Sequence, residues 1–166
     1  MTAMLGAMIT AFPLLAFIII VAFTKKLRMT SALISIAAIA ASFITAVIVF
    51  IGQLREPGLH VLEVPWLHIM NIEINMGVMV NQLTAVMFIV VTFISLMVQI
   101  YSLGYMKEDE GFAKFYAFLS LFSFSMLGIV VSNNLMQIYI FWELVGLSSY
   151  LLIGFWYHKP EASDAA

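Results

Sequence analysis

The chain has 166 residues, of which 64% are hydrophobic and 10% are charged, and its formal net charge is −2. Soluble domains are about 45–50% apolar and 25% charged, so this composition excludes a water-soluble globular protein and indicates an all-α integral membrane protein. The few charges are of both signs and predict no nucleic-acid partner. Cysteine is absent, which excludes disulfides and thiolate metal sites. The three histidines are scattered, and no metal site is predicted.

Hydropathy predicts five membrane-spanning helices, each of which needs about 20 predominantly apolar residues. The predicted spans are residues 3–23, 30–51, 82–106, 113–132 and 135–157, which together make one membrane region over 1–166. The first span has its basic residues after it rather than before it, so it is interpreted as a retained helix and not as a signal peptide. Pro13 inside this span frees a helical carbonyl, which a packed neighbour is expected to satisfy.

The connection between spans two and three is predicted to hold a short β-hairpin on the external surface. Alternating polar and apolar residues in 61–65 and 71–77 are typical of strands. Pro57-Gly58 is expected to turn the chain after span two, and Gly77 is a second candidate for a turn. Trp66 is interpreted as an interfacial anchor or a lid over the bundle.

Positive charges predict the orientation of the helices. If the turn containing Lys25, Lys26 and Arg28 is cytoplasmic, alternation of the spans places six of the seven Lys and Arg residues on that side and leaves Arg55 outside. The N-terminus is then external and the C-terminus cytoplasmic.

Polar side chains inside spans three and four are expected to make interhelical hydrogen bonds, with a hydrated path as the alternative. They are Thr92, Ser95, Gln99, Ser120, Ser123 and Ser125.

Glu143 is the most informative residue, because it is a carboxyl within an otherwise uncharged apolar stretch long enough to cross a bilayer. Such a group costs roughly 2.5–3.5 kcal/mol to insert, so it is expected to face a partner, a water-filled cavity or a proton path. The alternative is a neutral carboxyl that only holds neighbouring helices together. Helical spacing places Tyr139, Gly146 and Tyr150 on its face, and Gly146 would allow another helix to approach closely.

Residues 141–156, FWELVGLSSYLLIGFW, resemble the fifth helix of the antiporter-like membrane subunits. This family includes the L or subunit 5 type of respiratory complex I, an NADH-quinone oxidoreductase, and subunits of Mrp-type sodium/proton antiporters. Residues 101–106 and 115–117 resemble the preceding helices of the complex I subunit. The resemblance covers nearly the whole chain and is strongest from Asn81 onward.

The resemblance implies that Glu143 belongs to a proton path. In the family, the matching glutamate lies mid-membrane near a lysine on a later helix and influences when that lysine holds its proton. The chain would then be the N-terminal portion of a proton-translocating subunit that is not catalytic alone. Its partners would be other membrane subunits and the lipid bilayer of an inner or cytoplasmic membrane, and no cofactor would lie in this chain.

Two departures accompany the resemblance. The helix that would carry the lysine lies beyond Ala166, so a fragment or a split gene product is expected. Asn81 stands where the complex I subunit commonly has an aspartate. The alternatives are a noncatalytic membrane scaffold, a subunit of an Mrp-type antiporter, or the membrane subunit of an inorganic-carbon uptake complex.

Overall fold

The computed structural model describes residues 1–24, 27–69 and 72–166. Within these ranges five helices are long and apolar enough to cross a membrane, which confirms the predicted number. Helix α1 spans Thr2–Ile19 and continues as a π-helix through Ile20–Thr24, and α2 spans Arg28–Arg55. The remaining helices are α3, Gln82–Tyr105; α4, Phe112–Val131; α5, Leu135–Ile153, which a 3-10 turn extends to Trp156; and the short α6, Pro160–Ala165. Lys25, Lys26 and Asn71, used in the sequence predictions, lie outside the described residues.

The predicted hairpin between α2 and α3 is confirmed. Strands β1, His60–Ile69, and β2, Ile72–Val80, pair antiparallel, with an irregularity in register between Pro65 and Leu67. Trp66 lies at this irregularity and is 49% exposed. The turn predicted at Gly77 is wrong, because Gly77 lies within β2. Glycine suits this position for a different reason, because the Asn133 side chain occupies the space that a Cβ would take.

The hairpin and the N-terminus of α1 lie at one end of the bundle, where Gly6 packs against Val78 and Val80 of β2. We call this the hairpin end. The α3–α4 turn and α6 lie at the opposite end, where Trp156 donates to Asp109 Oδ2 over 2.7 Å. Helix α4 occupies the centre: twelve of its 20 residues are buried, whereas in α5 the buried residues are Gln137 and Ser148. Helix α5 packs chiefly against α4 and is therefore the most peripheral of the five.

A polar layer separates two apolar clusters in the core. The cluster at the hairpin end includes Ile9, Val49, Phe88 and Leu127, and the cluster at the opposite end includes Ile20, Ala32, Met106 and Tyr116. Between them, Ser35 of α2 donates to Gln99 Oε1 of α3 over 3.0 Å, and its Oγ lies 2.7 Å from Ser120 Oγ of α4. These bonds link three helices at a depth where water is not available to satisfy their polar groups.

Fewer of the polar side chains in α3 and α4 form hydrogen bonds between helices than the sequence predicted. Gln99 and Ser120 bond across helices, but Thr92, Ser123 and Ser125 donate to carbonyls of their own helices, four residues earlier. The hydroxyl of a helical Ser or Thr reaches the preceding turn without help from a neighbour, which explains the difference. A further serine that the sequence did not single out, Ser35, provides the link between helices.

Candidate functional site

The inner face of α5 is defined by its contact with α4. The Phe141 ring lies against Gly128, where any Cβ would overlap the ring. The same ring also meets Phe124 of α4, with centroids 5.5 Å apart and planes at 76°. Gln137 and Ser148 are buried on the Phe141 side of the helix, four residues before and seven residues after it. These contacts fix the rotation of α5 about its axis.

Glu143 consequently points away from the bundle. It follows Phe141 by two residues, which is about 200° around a helix of 3.6 residues per turn, and its side chain is exposed. The rise from Leu135 places it roughly 12 Å into the span. Among the described residues, none forms a hydrogen bond or ion pair with its carboxylate. The chain therefore presents a mid-span carboxyl on its outer surface.

The residues predicted to share the face of Glu143 are exposed with it. Tyr139 is 60% exposed and Tyr150 is 56% exposed. Gly146 is exposed as well, and apart from its chain neighbours and the backbone of its own helix no described atom lies within 4 Å of the position that its Cβ would occupy. The close helix approach expected beside Gly146 is therefore not made by the described part of this chain. We call Tyr139, Glu143, Gly146 and Tyr150 the outer face of α5.

The other outward faces of the bundle differ from this one. Their exposed mid-span side chains are apolar and include Leu15 of α1, Ile44 of α2 and Ile94 of α3. The remaining charged residues of the described spans lie in the first or last turn of their helices, namely Arg28, Arg55 and Lys114. Among the described residues, α5 alone carries a charged side chain in the middle of an exposed helix face.

The hairpin end of α5 is tied to β2 by side chains that sequence reasoning missed. Gly77 N–H donates to Gln137 Oε1 over 2.9 Å, and Gln137 Nε2 donates to the Gly77 carbonyl over 2.7 Å. Asn134 Nδ2 donates to the Asn75 carbonyl over 2.7 Å, and its Oδ1 caps α5 by accepting from Gln137 N–H. An Asn followed three residues later by Gln is a helix-start signal that indicates the cap, although not the contact with the hairpin.

A second connection holds the opposite end of α5. Asp109, in the α3–α4 turn, accepts from Gly111 N–H and from the Trp156 indole, each over 2.7 Å. The same turn accepts at its Lys107 and Asp109 carbonyls from Arg28 of α2. Helix α5 is thus anchored by hydrogen bonds near both ends and by the Phe141 contact between them.

Asn81, the expected departure from the family pattern, caps the start of α3. Its Oδ1 accepts from Thr84 N–H over 2.9 Å and from the Thr84 hydroxyl over 3.2 Å. An asparagine is as good an N-cap as an aspartate, so the start of α3 retains its satisfied backbone donor.

Two family descriptions match separate parts of the sequence. Residues 66–116 match the N-terminus of chain 5 of NADH-ubiquinone oxidoreductase, complex I. Residues 132–166, which contain the outer face of α5, match the transmembrane region shared by NADH:quinone oxidoreductase and Mrp antiporter proteins. The chain belongs to this antiporter-like family. The five apolar helices of its described residues make it a multi-pass membrane protein, and the family resemblance of residues 141–156 is confirmed.

Curated relatives place the chain within the chain 5 and subunit L branch of the antiporter-like family. It is 43% identical to NAD(P)H-quinone oxidoreductase chain 5 of Synechocystis over 142 residues, which cover 86% of this chain and 21% of the relative. It is 42% identical to NADH-quinone oxidoreductase subunit L of Rickettsia typhi over 164 residues, covering 98% of this chain and 25% of the relative. The chain therefore spans about a fifth to a quarter of the length of these relatives.

Proposed function

We propose that this chain forms the N-terminal portion of a proton-translocating membrane subunit of an NADH-quinone oxidoreductase, and that Glu143 contributes to its proton path. The named relatives are quinone oxidoreductase chains, which supports the reaction. The chain acts with other membrane subunits of an inner or cytoplasmic membrane and is not catalytic alone. The electron carriers lie in those other subunits.

The exposure of Glu143 in the middle of a span is the observation that carries this proposal. A carboxylate facing hydrocarbon is strongly unfavourable, and a side chain this short does not reach the membrane surface from mid-span. The outer face of α5 must therefore be covered by protein or by water held in protein. The apolar faces of α1, α2 and α3 need no such cover, because apolar side chains are stable in contact with lipid tails.

The composition of the outer face fits a proton-path role. Gly146 leaves room for a covering helix to lie close to the carboxylate. Tyr139 and Tyr150 bring hydroxyl groups to the same surface. The family resemblance implies a lysine on the covering helix. The nearby carboxylate would favour the protonated form of this lysine, whereas burial away from the carboxylate would favour the neutral form. A change in the distance between the two groups would then move a proton.

The distribution of basic residues supports an orientation. Lys107 and Lys159 lie at the opposite end of the bundle with Arg28 and Lys114, whereas Arg55 lies at the hairpin end. An excess of positive charge is typical of cytoplasmic ends, which supports a cytoplasmic position for the opposite end. The N-terminus and the hairpin are then external, and the C-terminus is cytoplasmic.

A second candidate is a subunit of an Mrp-type antiporter, because the description matched by residues 132–166 names that class together with NADH:quinone oxidoreductase. The two candidates differ in the driving reaction. Proton movement that requires quinone reduction supports the first, whereas proton movement driven by a sodium gradient without quinone supports the second.

The substitution Glu143→Gln tests the proposal, because it keeps the shape and hydrogen-bonding capacity of the side chain but removes its titration. The assembly that contains this chain would be reconstituted in proteoliposomes, with quinone reduction, internal acidification and subunit content measured together. We expect normal assembly with fewer protons moved per quinone reduced, and a milder loss for Glu143→Asp. Glu56→Gln removes a carboxylate from the exposed end of α2 and is the matched control.

Unchanged proton movement in a fully assembled Glu143→Gln variant would remove the proton role. A loss of assembly, with the proton yield of each surviving complex unaltered, would favour the alternative in which the carboxyl only holds neighbouring helices together.

A further inference from the structure

The free edge of β2 is closed by side chains of α5 instead of by a third strand. Gly77 uses both of its backbone polar groups to bond Gln137, and Asn75, two residues earlier, uses its carbonyl to bond Asn134. In an antiparallel pair, residues two apart direct their backbone groups to the same edge of the strand. The Gln137 side-chain amide has the same donor and acceptor as a peptide, and it takes the place that a neighbouring strand would fill.

This contact is buried and sterically specified. Gln137 is 4% exposed, so neither of the two bonds is readily exchanged for bonds to water. Gly77 admits no larger residue without displacing Asn133, whose Nδ2 donates to Glu63 Oε1 of β1 over 2.8 Å. Both strands of the hairpin are therefore connected to the start of α5. Breaking the Gly77 contact from either side would leave buried polar groups without partners, which is the costly case.

The contact also determines where Glu143 lies. Gln137 precedes Glu143 by six residues, a rise of about 9 Å along one continuous helix. Between them the inner face of α5 meets α4 through the aromatic contact of Phe141, and Ser148 further along donates to Leu144 of its own helix. Hydrogen bonds have a directional requirement that apolar contacts lack. The bonds of Gln137 therefore add a directional restraint on the rotation and depth of the first half of α5, beside the Phe141 contact.

We propose that Gln137 is a positioning residue for Glu143, acting through the hairpin. The inference rests on the proposed function of Glu143 as a proton-path carboxyl. Gln137 itself does not touch the proton path, because it lies on the opposite face of α5. Its role is to hold α5 against β2 so that the Glu143 carboxyl meets the surface covering it at one fixed distance and orientation.

Gln137→Met tests the role of Gln137, since it keeps the length of the side chain and removes both bonds to Gly77. Gly77→Ala breaks the same contact from the hairpin side. The readout is the infrared carboxyl band of Glu143 in the assembled complex, identified as the band that Glu143→Gln removes, together with protons moved per quinone reduced. We expect both variants to shift the band and lower the proton yield while quinone reduction persists. Gln82→Met makes the same chemical change at the exposed start of α3 and should alter neither readout.

The two proposals fail in different ways. If Gln137→Met and Gly77→Ala leave the Glu143 band unshifted in assembled complexes, the positioning role is wrong, whatever the effect of Glu143→Gln. If Glu143→Gln leaves proton movement unchanged, the proposed function is wrong. A shift of the Glu143 band in Gln137→Met and Gly77→Ala would then still show that Gln137 positions the carboxyl. If Gln137→Met or Gly77→Ala lowers only the amount of assembled complex and leaves the band unshifted, the contact between Gln137 and Gly77 serves folding alone. That result also overturns the positioning role.

Discussion

Ser42 of α2 donates a hydrogen bond of 2.9 Å to the carbonyl oxygen of Ile9 in α1, the acceptor that Pro13 leaves without a helical donor. In a regular helix the N–H of residue 13 would occupy that carbonyl, and proline has none. The serine lies on the neighbouring helix at the same depth and is fully buried. The expectation that a packed neighbour satisfies the carbonyl is confirmed, and the neighbour is identified.

Ser42→Ala is expected to destabilise the packing of α1 on α2 by about 0.6 kcal/mol, the average for hydrogen bonds between membrane helices, and by no more than about 1.7 kcal/mol. The loss should shrink when Pro13→Ala is combined with it, because an alanine at that position returns an N–H to the Ile9 carbonyl. A double-mutant cycle of reversible unfolding in mild detergent measures this coupling. Thr45→Val is the control, since Thr45 donates to Ala41 of its own helix. Equal losses with and without Pro13 would contradict the pairing.

A nitroxide probe distinguishes a covered outer face of α5 from a lipid-facing one. Leu147 and Ile94 are similarly exposed here, at 51% and 55%, and the chain has no native cysteine to compete for the label. In the assembled complex, a label introduced by Ile94→Cys should collide freely with oxygen dissolved in the bilayer. A label introduced by Leu147→Cys, about one helical turn after Glu143, should collide far less, because the outer face beside it needs a protein cover. Equal oxygen accessibility at the two sites would show that α5 faces lipid and would remove the main support for the proposed function.

Orientation is tested by cysteines in the two exposed ends of the bundle. Gly58→Cys and Leu59→Cys, at the hairpin end, should react with an impermeant maleimide added outside intact cells, whereas Glu108→Cys should react only after permeabilisation. Gly111 is a poorer choice for the inner site, because the Phe155 ring occupies the space beside it. Labelling of Glu108→Cys alone in intact cells would reverse the orientation and place the hairpin in the cytoplasm.

The number of helices, the hairpin and the face shared by Glu143 with Tyr139, Gly146 and Tyr150 could all be predicted from the sequence. Each of these depends on local information, namely the length of an apolar run, the alternation of residues, or the spacing of a helix. The sequence could not tell which way Glu143 points. Helix α5 carries apolar residues on all of its faces, so hydropathy does not distinguish the face toward α4 from the face away from it.

Contacts between distant segments were the part that sequence reasoning missed. Gln137 has no feature that indicates Gly77 as its partner, and Gly77 itself was taken for a turn because glycine is common in turns. Ser35 and Thr92 are both small hydroxyl residues in apolar helices, yet one bonds across helices and the other within its own. The choice depends on which neighbour the packing brings near, and that is a property of the folded bundle.

The closure of β2 by α5 also has a consequence for biosynthesis. Gly77 and Gln137 are 60 residues apart, so at roughly 5–20 residues per second about 3–12 s pass between their synthesis. During that interval β1 and β2 can pair, but the free edge of β2 lacks its partner. The hairpin can already pack against α1, but its bonds to α5 have to wait until two further helices have been made and α5 has begun. A segment encoded early in the chain therefore completes its contacts only after most of the bundle has been synthesised.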